Sequence, residues 1–399
     1  MTELHPPASS SLDRRQLLKI FGAVAAVGAV GATAACATAT ADPGDVDRPN
    51  GRTIKIGLVT PALGAYAKVG DDIQKGFKLF LSDNKNLLGL NAVDLKVVEE
   101  GPTAQSAAAA VKGLLNEGVL AIAGVANPGA LPVLAPMMLA GGVPLICANS
   151  SPDTLVNPEY LWRVSSVEGE AGRSLSRYAF TEGSKAFLLY EDTDAARVEV
   201  SAFRRAYTDL GGKIVGDISG KVSFSKYLGQ ARTADADVVY GGYTGTDAVA
   251  LLDAYRASGL PAKLLGPGSL TETADLSKLS PLPDGVFTSM FYAADLDNEK
   301  NRKFVASYHK AQGIQPSSYA AAAYDAAAVI DEALRIAGGV ASPATLNESL
   351  GKLGQISSAR GTWTFNVNRT PQQRWYLRRL RLDGMVAANL VDTDLAVLS

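Results

Sequence analysis

The chain has 399 residues, 47% of them hydrophobic and 20% charged, a globular composition that excludes disorder along its whole length. Its 38 basic and 40 acidic residues give a net charge of -2, and this balance argues against a nucleic-acid partner. The histidines are His5 and His309 and the cysteines are Cys36 and Cys147, so we expect neither a Cys/His metal site nor a histidine-based catalytic triad.

The N-terminus has the order of an export signal. A basic stretch containing Arg14 and Arg15 precedes an uncharged apolar run over 20–35, which is shorter than the about 20 residues of a membrane-spanning helix. The paired arginines resemble a twin-arginine signal, and Thr33–Cys36 resembles a lipobox in which Cys36 receives the lipid. We therefore expect a signal peptide over 1–36 and, because residues 37–51 are small, polar and rich in Pro and Gly, a flexible tether after it. A soluble exported protein is the alternative.

From residue 52 onward, short apolar runs alternate with helical patterns, which is typical of parallel sheets covered by helices on both faces. In the first series we predict strands at 53–59, 94–99, 120–123 and 144–147 and helices at 70–84, 106–117 and 132–141. In the second series we predict strands at 186–190, 213–216, 238–241 and 264–265 and helices near 172–181, 198–210, 228–235 and 247–258. The last part contains predicted strands at 286–290, 362–365 and 374–382, helices at 298–312 and 319–337, and a helix start at Ser342-Pro343.

Sequence motifs of covalent chemistry are absent. The chain contains no Walker phosphate loop, no G-x-G-x-x-G after a strand and no G-x-S-x-G nucleophile elbow. The adjacent carboxylates Glu99–Glu100 and Asp71–Asp72 point in different directions, so we expect them to be solvated. We expect His309 at the surface of a helix and Cys147 buried in a strand, and we predict neither an enzyme nor a cofactor.

Four segments follow one another in an order that resembles a known family. They contain IGLVTPALGAYAKVG at 56–70, VPLICANSS at 143–151, VVYGGY at 238–243 and SSYAAAAYD at 317–325. Together they resemble the branched-chain amino-acid-binding protein family, the type I periplasmic solute-binding proteins of ATP-driven (ABC) importers. The resemblance covers about 52–382.

The resemblance implies an α/β fold of two Rossmann-like, doubly wound lobes joined by a three-strand hinge. Lobe one comprises 52–165 and 290–364, and lobe two comprises 166–289 and 365–399. The implied function is to bind a small polar organic ligand (an amino acid, amide or carboxylate) between the lobes and to deliver it to an ABC permease. The expected form is a monomer on the outer face of the cell membrane, held by the lipid on Cys36, or in the periplasm if it is soluble. A sensor of the same fold that feeds a regulator is the alternative, and an exported enzyme is a third possibility.

The resemblance also implies where the ligand binds. Ser150 and Ser151, with Asn149, follow the strand at 144–147, where the family holds its ligand's carboxylate. Asn127 lies in the companion loop, in which Pro128 has no backbone N–H to donate. The expected aromatic walls of the cleft are Tyr66, Tyr243 and Tyr319.

Two departures from the family pattern concern the ligand. Amino-acid-binding members carry an acidic residue after Gly-Pro, where this chain has Gly268, and the family's Tyr-Gly is replaced by Ala195-Ala196. Either Glu272 or Glu168 replaces the missing acid, or the ligand has no α-ammonium group. We expect a carboxylate or amide ligand with a bulky or planar apolar part.

Overall fold

The computed structural model describes residues 51–398, apart from 157, 221–222 and 339–341. The predicted signal peptide, almost all of the tether and the predicted lipidation site Cys36 lie outside the described residues. Within the described part of the chain, no helix has the length and apolar character needed to cross a bilayer.

Lobe one begins with a series of strands and helices in the predicted order. They are β1 (Thr53–Thr60), α1 (Ala67–Asp83), β2 (Leu87–Leu88), β3 (Asn91–Glu99), α2 (Ala104–Asn116), β4 (Ala121–Gly124), α3 (Leu131–Gly141), β5 (Leu145–Cys147) and β6 (Leu161–Arg163).

Lobe two follows with the same alternation. Its elements are α4 (Glu170–Glu182), β7 (Lys185–Tyr190), α5 (Asp194–Asp209), β8 (Lys213–Ser219), α6 (Phe224–Thr233), β9 (Val238–Gly242), α7 (Gly245–Ser258), β10 (Lys263–Pro267), α8 (Ser269–Glu272) and β11 (Val286–Met290). The chain then forms α9 (Glu299–Gln312), α10 (Ser318–Ile336), α11 (Pro343–Leu350), β12 (Gln355–Ser358), β13 (Gly361–Phe365), β14 (Pro371–Asp383) and β15 (Val386–Leu398).

Two sheets organise these elements. The six-stranded sheet has the order β2-β3-β1-β4-β5-β6 and is parallel except for β2. The nine-stranded sheet runs β12-β13-β14-β11-β10-β9-β7-β8, with β15 paired to β14. Its strands β7 to β11 are parallel, whereas β14 is antiparallel to β11. Each sheet contains a doubly wound unit. The parallel strand that next follows the first one along the chain (β3 after β1, β8 after β7) lies on one side of it, and the later parallel strands lie on the other side. This arrangement confirms the predicted fold class.

Close helix packing supports the core of lobe one. Helix α10 packs on α1, and a Cβ at Gly76 of α1 would lie 2.1 Å from the carbonyl oxygen of Ala320. The same core takes in Trp162 of β6 and Trp363 of β13, although β13 pairs with β14. The segment just before β14 thus packs into the core of the six-stranded sheet, while β14 itself continues the nine-stranded sheet.

Several local predictions are confirmed. Cys147 is 1% exposed in β5, and His309 is exposed on α9. Helix α11 begins at Pro343, and the Ser342 hydroxyl accepts a hydrogen bond from the backbone N–H of Thr345 at 3.1 Å. The prediction missed β2, β6, α8, β12 and β15, since the first four have only two to four residues and β15 follows β14 through a short turn.

Candidate functional site

The strand order of both sheets reverses at one position, and loops that follow the strands there contain several predicted site residues. In lobe one the reversal lies between β1 and β4, whose following loops contain Tyr66 and Asn127. In lobe two it lies between β7 and β9, which are followed by Glu191 and Tyr243. Ligands of open α/β sheets bind outside the carboxyl ends of the strands at such positions.

The hydroxyl of Tyr66, at the start of α1, is under the electrostatic influence of carboxylates of both lobes. Its side chain is half-buried, and burial is the main cause that raises the pKa of its hydroxyl. The carboxylates of Glu168, Glu100 and Glu191 raise this pKa further. Glu100 follows β3 in lobe one and Glu191 follows β7 in lobe two, so carboxylates at strand ends of both lobes act on the Tyr66 hydroxyl.

Tyr319 belongs to the same group of side chains. It is the second residue of α10 and is 7% exposed. Burial raises the pKa of Tyr319, Glu272 and Asp72 raise it further, and Tyr66 also contributes. The structure thus brings Tyr319, Tyr66 and Glu272 close together, although they come from three separate segments.

The two loops that resemble the family's anion site are joined to each other. The side-chain amide of Asn149 donates to the carbonyl oxygen of Ala126 at 2.6 Å. The side chain of Asn127 accepts from the N–H of Gly129 at 3.0 Å. Asn149 and Asn127 therefore stabilise the loops themselves.

The two serines of the second loop differ in exposure and in hydrogen bonding. Ser151 is fully buried, and its N–H and hydroxyl both donate to the carbonyl oxygen of Ser166, at 3.0 and 3.4 Å. The N–H of Ser150 donates to the side chain of Asn149 at 2.7 Å, and Ser150 is partly exposed. Of the two predicted anion-binding serines, Ser150 is the one with a partly accessible side chain.

The carboxylate of Glu100 binds two backbone N–H groups of the companion loop. It is fully buried, and its carboxylate accepts from the N–H groups of Ala126 at 2.7 Å and Asn127 at 2.9 Å. Burial raises the pKa of Glu100, and these two hydrogen bonds oppose the rise. Two N–H groups beside the predicted site for the ligand's carboxylate are therefore already bound to a carboxylate of the protein.

The prediction that the adjacent carboxylates are solvated is wrong for Glu100 and for Asp72. Asp72 is 3% exposed and accepts hydrogen bonds from Ser317 Oγ at 2.8 Å and from Lys68 Nζ at 3.1 Å. A buried carboxylate is stable only with such partners. Glu100 finds both in the loop after β4, whereas Asp72 finds one on its own helix and one just before α10.

Glu272 is bound on two sides by the protein. Its carboxylate accepts from Arg378 Nη1 in β14 and from the hydroxyl of Ser318 at the start of α10. The side chains of Arg378 and Glu272 are 1% and 7% exposed. A Cβ at Gly268 would lie 2.6 Å from Arg378 Nη2, so the guanidinium fills the space beside Gly268 where the family has its acidic residue.

Glu168 is buried without such partners. It is 9% exposed, and its backbone N–H donates to the carbonyl oxygen of Ser151 at 2.9 Å. Within the described part of the chain, its carboxylate makes no hydrogen bond and no ion pair. Burial raises the pKa of Glu168 to about 7, and the carboxylates of Glu199, Asp153 and Asp194 contribute to the rise.

Tyr243 requires a correction, because the structure gives it a packing role. It is fully buried in the core of lobe two, where its ring meets Phe224 edge-on at 4.9 Å between centroids. Its hydroxyl donates to the carbonyl oxygen of Gly220 at 2.9 Å. Tyr243 follows β9 at the expected strand end, but its ring packs in the hydrophobic core of lobe two and does not form a wall of the cleft.

Surface grooves occur elsewhere. One, of about 780 Å³, runs along α9 and is lined by residues including Asp295, Asn301, Arg302 and His309. Another, of about 490 Å³, lies beside α7 and is lined by residues including Val249, Asp253 and Thr273. Neither is lined by a predicted site residue. Among the residues that the structure describes, no three His, Cys, Asp or Glu side chains are grouped so as to hold a metal ion.

Sequence reasoning missed Glu100, Arg378 and Ser318 as parts of this region. Glu100 had a usable signal, since it follows a predicted strand next to the first one. Arg378 had none, because it stands among Arg374, Arg379 and Arg381 in β14 and the sequence does not distinguish the buried arginine from the exposed ones.

Comparison with known proteins identifies similar chains. A family model described as periplasmic binding protein matches residues 53–385. A Leu/Ile/Val-binding protein homolog 6 of Brucella melitensis is 28% identical over 341 residues, which cover 82% of this chain and 87% of that protein.

Solved structures are similar over most of both chains. A solute-binding protein of an ABC transporter from R. palustris, in complex with benzoate, has 26% identity and a TM-score of 0.76 and covers 86% of this chain and 97% of that one. A branched-chain amino acid transporter substrate-binding protein from Streptococcus pneumoniae, in complex with isoleucine, has 21% identity and a TM-score of 0.74 and covers 86% and 100%. The second likeness concerns the fold alone.

Proposed function

We propose, because this chain belongs to the periplasmic binding protein family, that it binds a small organic ligand between its two lobes and delivers it to the membrane subunits of an ABC importer. Proteins of this kind bind and release their ligand without covalent chemistry. Hinge closure around the ligand is the expected mode of binding.

The observation that carries this proposal is the position of Tyr66. The carboxylates of Glu168, of Glu100 in lobe one and of Glu191 in lobe two all act electrostatically on its hydroxyl. A ligand beside Tyr66 would touch strand-end loops of both lobes, and such two-sided contact is what makes closure favourable. The proposed lobe boundaries are those of the sequence, 52–165 with 290–364 and 166–289 with 365–399.

The ligand class is supported by the walls of this region and by the similar proteins. Tyr66 and Tyr319 offer apolar faces with polar ends, which suit a small organic molecule. One similar protein is named for leucine, isoleucine and valine and another is in complex with benzoate, all small organic acids. We accordingly propose an amino acid, amide or carboxylate, bound near Tyr66, Tyr319 and Ser150.

Export and anchoring are part of the proposal. The Arg14–Arg15 pair, the apolar run and Cys36 support a twin-arginine lipoprotein signal. A diacylated Cys36 would hold the protein firmly at the outer face of the membrane, because two lipid chains anchor where one does not. The protein would act there as a monomer.

The test begins with the ligand that co-purifies with the protein from its native source, identified by mass spectrometry. At a hundredfold excess over Kd, this ligand is expected to raise the free energy of unfolding by about 2.7 kcal/mol. Small-angle scattering should show a smaller radius of gyration in the complex. A tight ligand that leaves the radius of gyration unchanged would contradict closure, and turnover of the ligand would contradict a pure binding role.

A further inference from the structure

Two adjacent serines at the start of α10 bind carboxylates from different parts of the fold. The hydroxyl of Ser317 donates to Asp72 in α1 at 2.8 Å. The hydroxyl of Ser318 donates to Glu272 in α8, and the backbone N–H of Ser318 donates to both oxygens of the same carboxylate, at 3.4 and 3.3 Å. The first turn of α10 is therefore held from two sides.

The two carboxylates belong to units built on different sheets. Helix α1 follows β1 and packs with α10 in the core of the six-stranded sheet. Helix α8 lies between β10 and β11 of the nine-stranded sheet, and its Leu270 is part of the core there. Within the proposed boundaries, the bond from Ser317 to Asp72 stays in lobe one, whereas the bond from Ser318 to Glu272 connects lobe one to lobe two.

The carboxylate of Glu272 is oriented by its own lobe. Arg378 in β14 donates to this carboxylate and, at 3.0 Å, to the carbonyl oxygen of Tyr292. The guanidinium neutralises the carboxylate and holds it in one position. The hydrogen bond from Ser318 is thus made to an acceptor that is already fixed, so little side-chain entropy is lost when the bond forms.

The contact is shielded from water and lies beside the proposed cleft. Ser318 and the side chain of Glu272 are both almost completely buried. Tyr319, a proposed wall of the cleft, is the next residue along α10. If the lobes rotate apart, Ser318 and Glu272 separate and become hydrated, while Ser317 and Asp72 stay together on lobe one.

We propose that Ser318 is a positioning residue whose hydrogen bond to Glu272 latches the two lobes in the closed arrangement. This inference rests on the proposed function and identifies a residue that sets affinity through closure. Because protein atoms alone make the contact, it stabilises the closed arrangement with or without a ligand. Apparent affinity rises with the fraction of protein in the binding-competent arrangement, so the latch tightens binding without touching the ligand.

The experiment compares Ser318→Ala with Ser307→Ala. Ser307 is the matched control, because its hydroxyl also donates to a carboxylate, that of Asp83 at 2.6 Å, but joins α9 to α1 within lobe one. The probes for calorimetric titration and stopped-flow kinetics are leucine, benzoate and the co-purified molecule. Ser318→Ala should weaken binding by about 10–100-fold, the range for a hydrogen bond to a charged group, mainly through faster dissociation. Ser307→Ala should change the affinity by less than about twofold.

Further measurements separate a latch from other roles of Ser318. Small-angle scattering should show a larger radius of gyration for ligand-free Ser318→Ala than for the ligand-free unmodified protein and Ser307→Ala, an effect that loss of a direct ligand contact would not produce. Glu272→Asp keeps the charge beside Arg378 but withdraws it from Ser318, so it should give the same two changes. Ser318→Thr retains a hydroxyl and should bind within about threefold of the unmodified protein.

The opposite results would overturn the inference. An affinity loss in Ser318→Ala no larger than in Ser307→Ala, an unchanged radius of gyration in the ligand-free variant, or a loss in Ser318→Thr as large as in Ser318→Ala would each do so. Ligand binding with closure in those cases would leave the proposed function intact. If no small molecule binds the unmodified protein, the proposed function and the inference both fail.

Discussion

Arg378 of β14 donates to the carboxylate of Glu272 in α8, and both side chains are almost completely buried. The same guanidinium donates to the carbonyl oxygen of Tyr292 at 3.0 Å, and the same carboxylate is bound by Ser318 of α10. The pair therefore links four segments: β14, α8, the stretch after β11 and the start of α10. The guanidinium of Arg378 also occupies the space next to Gly268, so this position has no room for a larger side chain unless Arg378 moves.

Removing the cation of this pair should destabilise the fold. Arg378→Met leaves Glu272 buried without a counter-charge, and we expect a loss of about 3–5 kcal/mol in the free energy of unfolding, measured by urea denaturation. Arg379→Met is the matched control, because Arg379 pairs at the surface with Asp284 and should cost at most about 1 kcal/mol. Equal losses in the two variants would contradict the structural role of Arg378. Adding Glu272→Gln to Arg378→Met should recover part of the loss.

Substitutions at Tyr66 and Tyr243 should affect different properties: the first should lower ligand affinity and the second should lower stability. Tyr243→Phe removes the hydrogen bond to Gly220 and should lower the free energy of unfolding by about 1 kcal/mol without changing the affinity for the co-purified ligand. Tyr66→Ala should weaken binding of that ligand by about 1–3 kcal/mol, the scale of one aromatic contact with a hydrogen bond. Calorimetric titration and urea denaturation of both variants measure the two effects. A large loss of ligand affinity in Tyr243→Phe would show that Tyr243 contacts the ligand in the cleft.

The pH dependence of stability should reveal Glu170. This residue is fully buried, and burial raises its pKa to about 7 from an ordinary value of 4.5. The folded state therefore binds its proton more tightly than the unfolded state. The stabilisation is complete below about pH 4.5 and is lost as the pH rises to about 7, by an amount on the order of 3 kcal/mol.

The measurement is urea denaturation at several pH values between 4.5 and 8. Glu170→Gln, which cannot titrate, should show a smaller decline in stability over this interval than the unmodified protein. Glu182→Gln is a control on the same helix, because Glu182 pairs with Lys263 near the surface. An unchanged slope in Glu170→Gln would show that Glu170 is ionised in the folded protein.

Export should depend on the two arginines as a pair. Replacing Arg14 and Arg15 by lysines keeps the charge and should abolish translocation, measured by fractionation of cells that express the full chain. The Cys36→Ser variant should be exported but released from membranes. Normal export of the lysine variant would contradict a twin-arginine signal, and a membrane-bound Cys36→Ser form would place the anchor elsewhere.

The sequence by itself determined the architecture of the described chain, because the period of its apolar residues reports directly which segments are buried strands. The alternation of strands and helices is local, and parallel strands need such crossover connections. It also located the loops at the strand ends, including those of Tyr66, Asn127 and Ser150. Burial of Cys147 followed from its apolar neighbours in the same way.

Only the tertiary structure decided which side chains at those strand ends are free. Glu272 meets Arg378 across 106 positions of sequence, and Glu100 meets the Ala126 N–H across 26. Tyr243 stands at the expected strand end, but its ring lies in the core, where its hydroxyl donates to the carbonyl oxygen of Gly220 and its ring packs edge-on against Phe224. Whether a charged or aromatic residue faces a ligand depends on partners that the chain brings together only when it folds. The lack of a partner for the Glu168 carboxylate, among the described residues, is likewise a result of where the fold places the donors and cations.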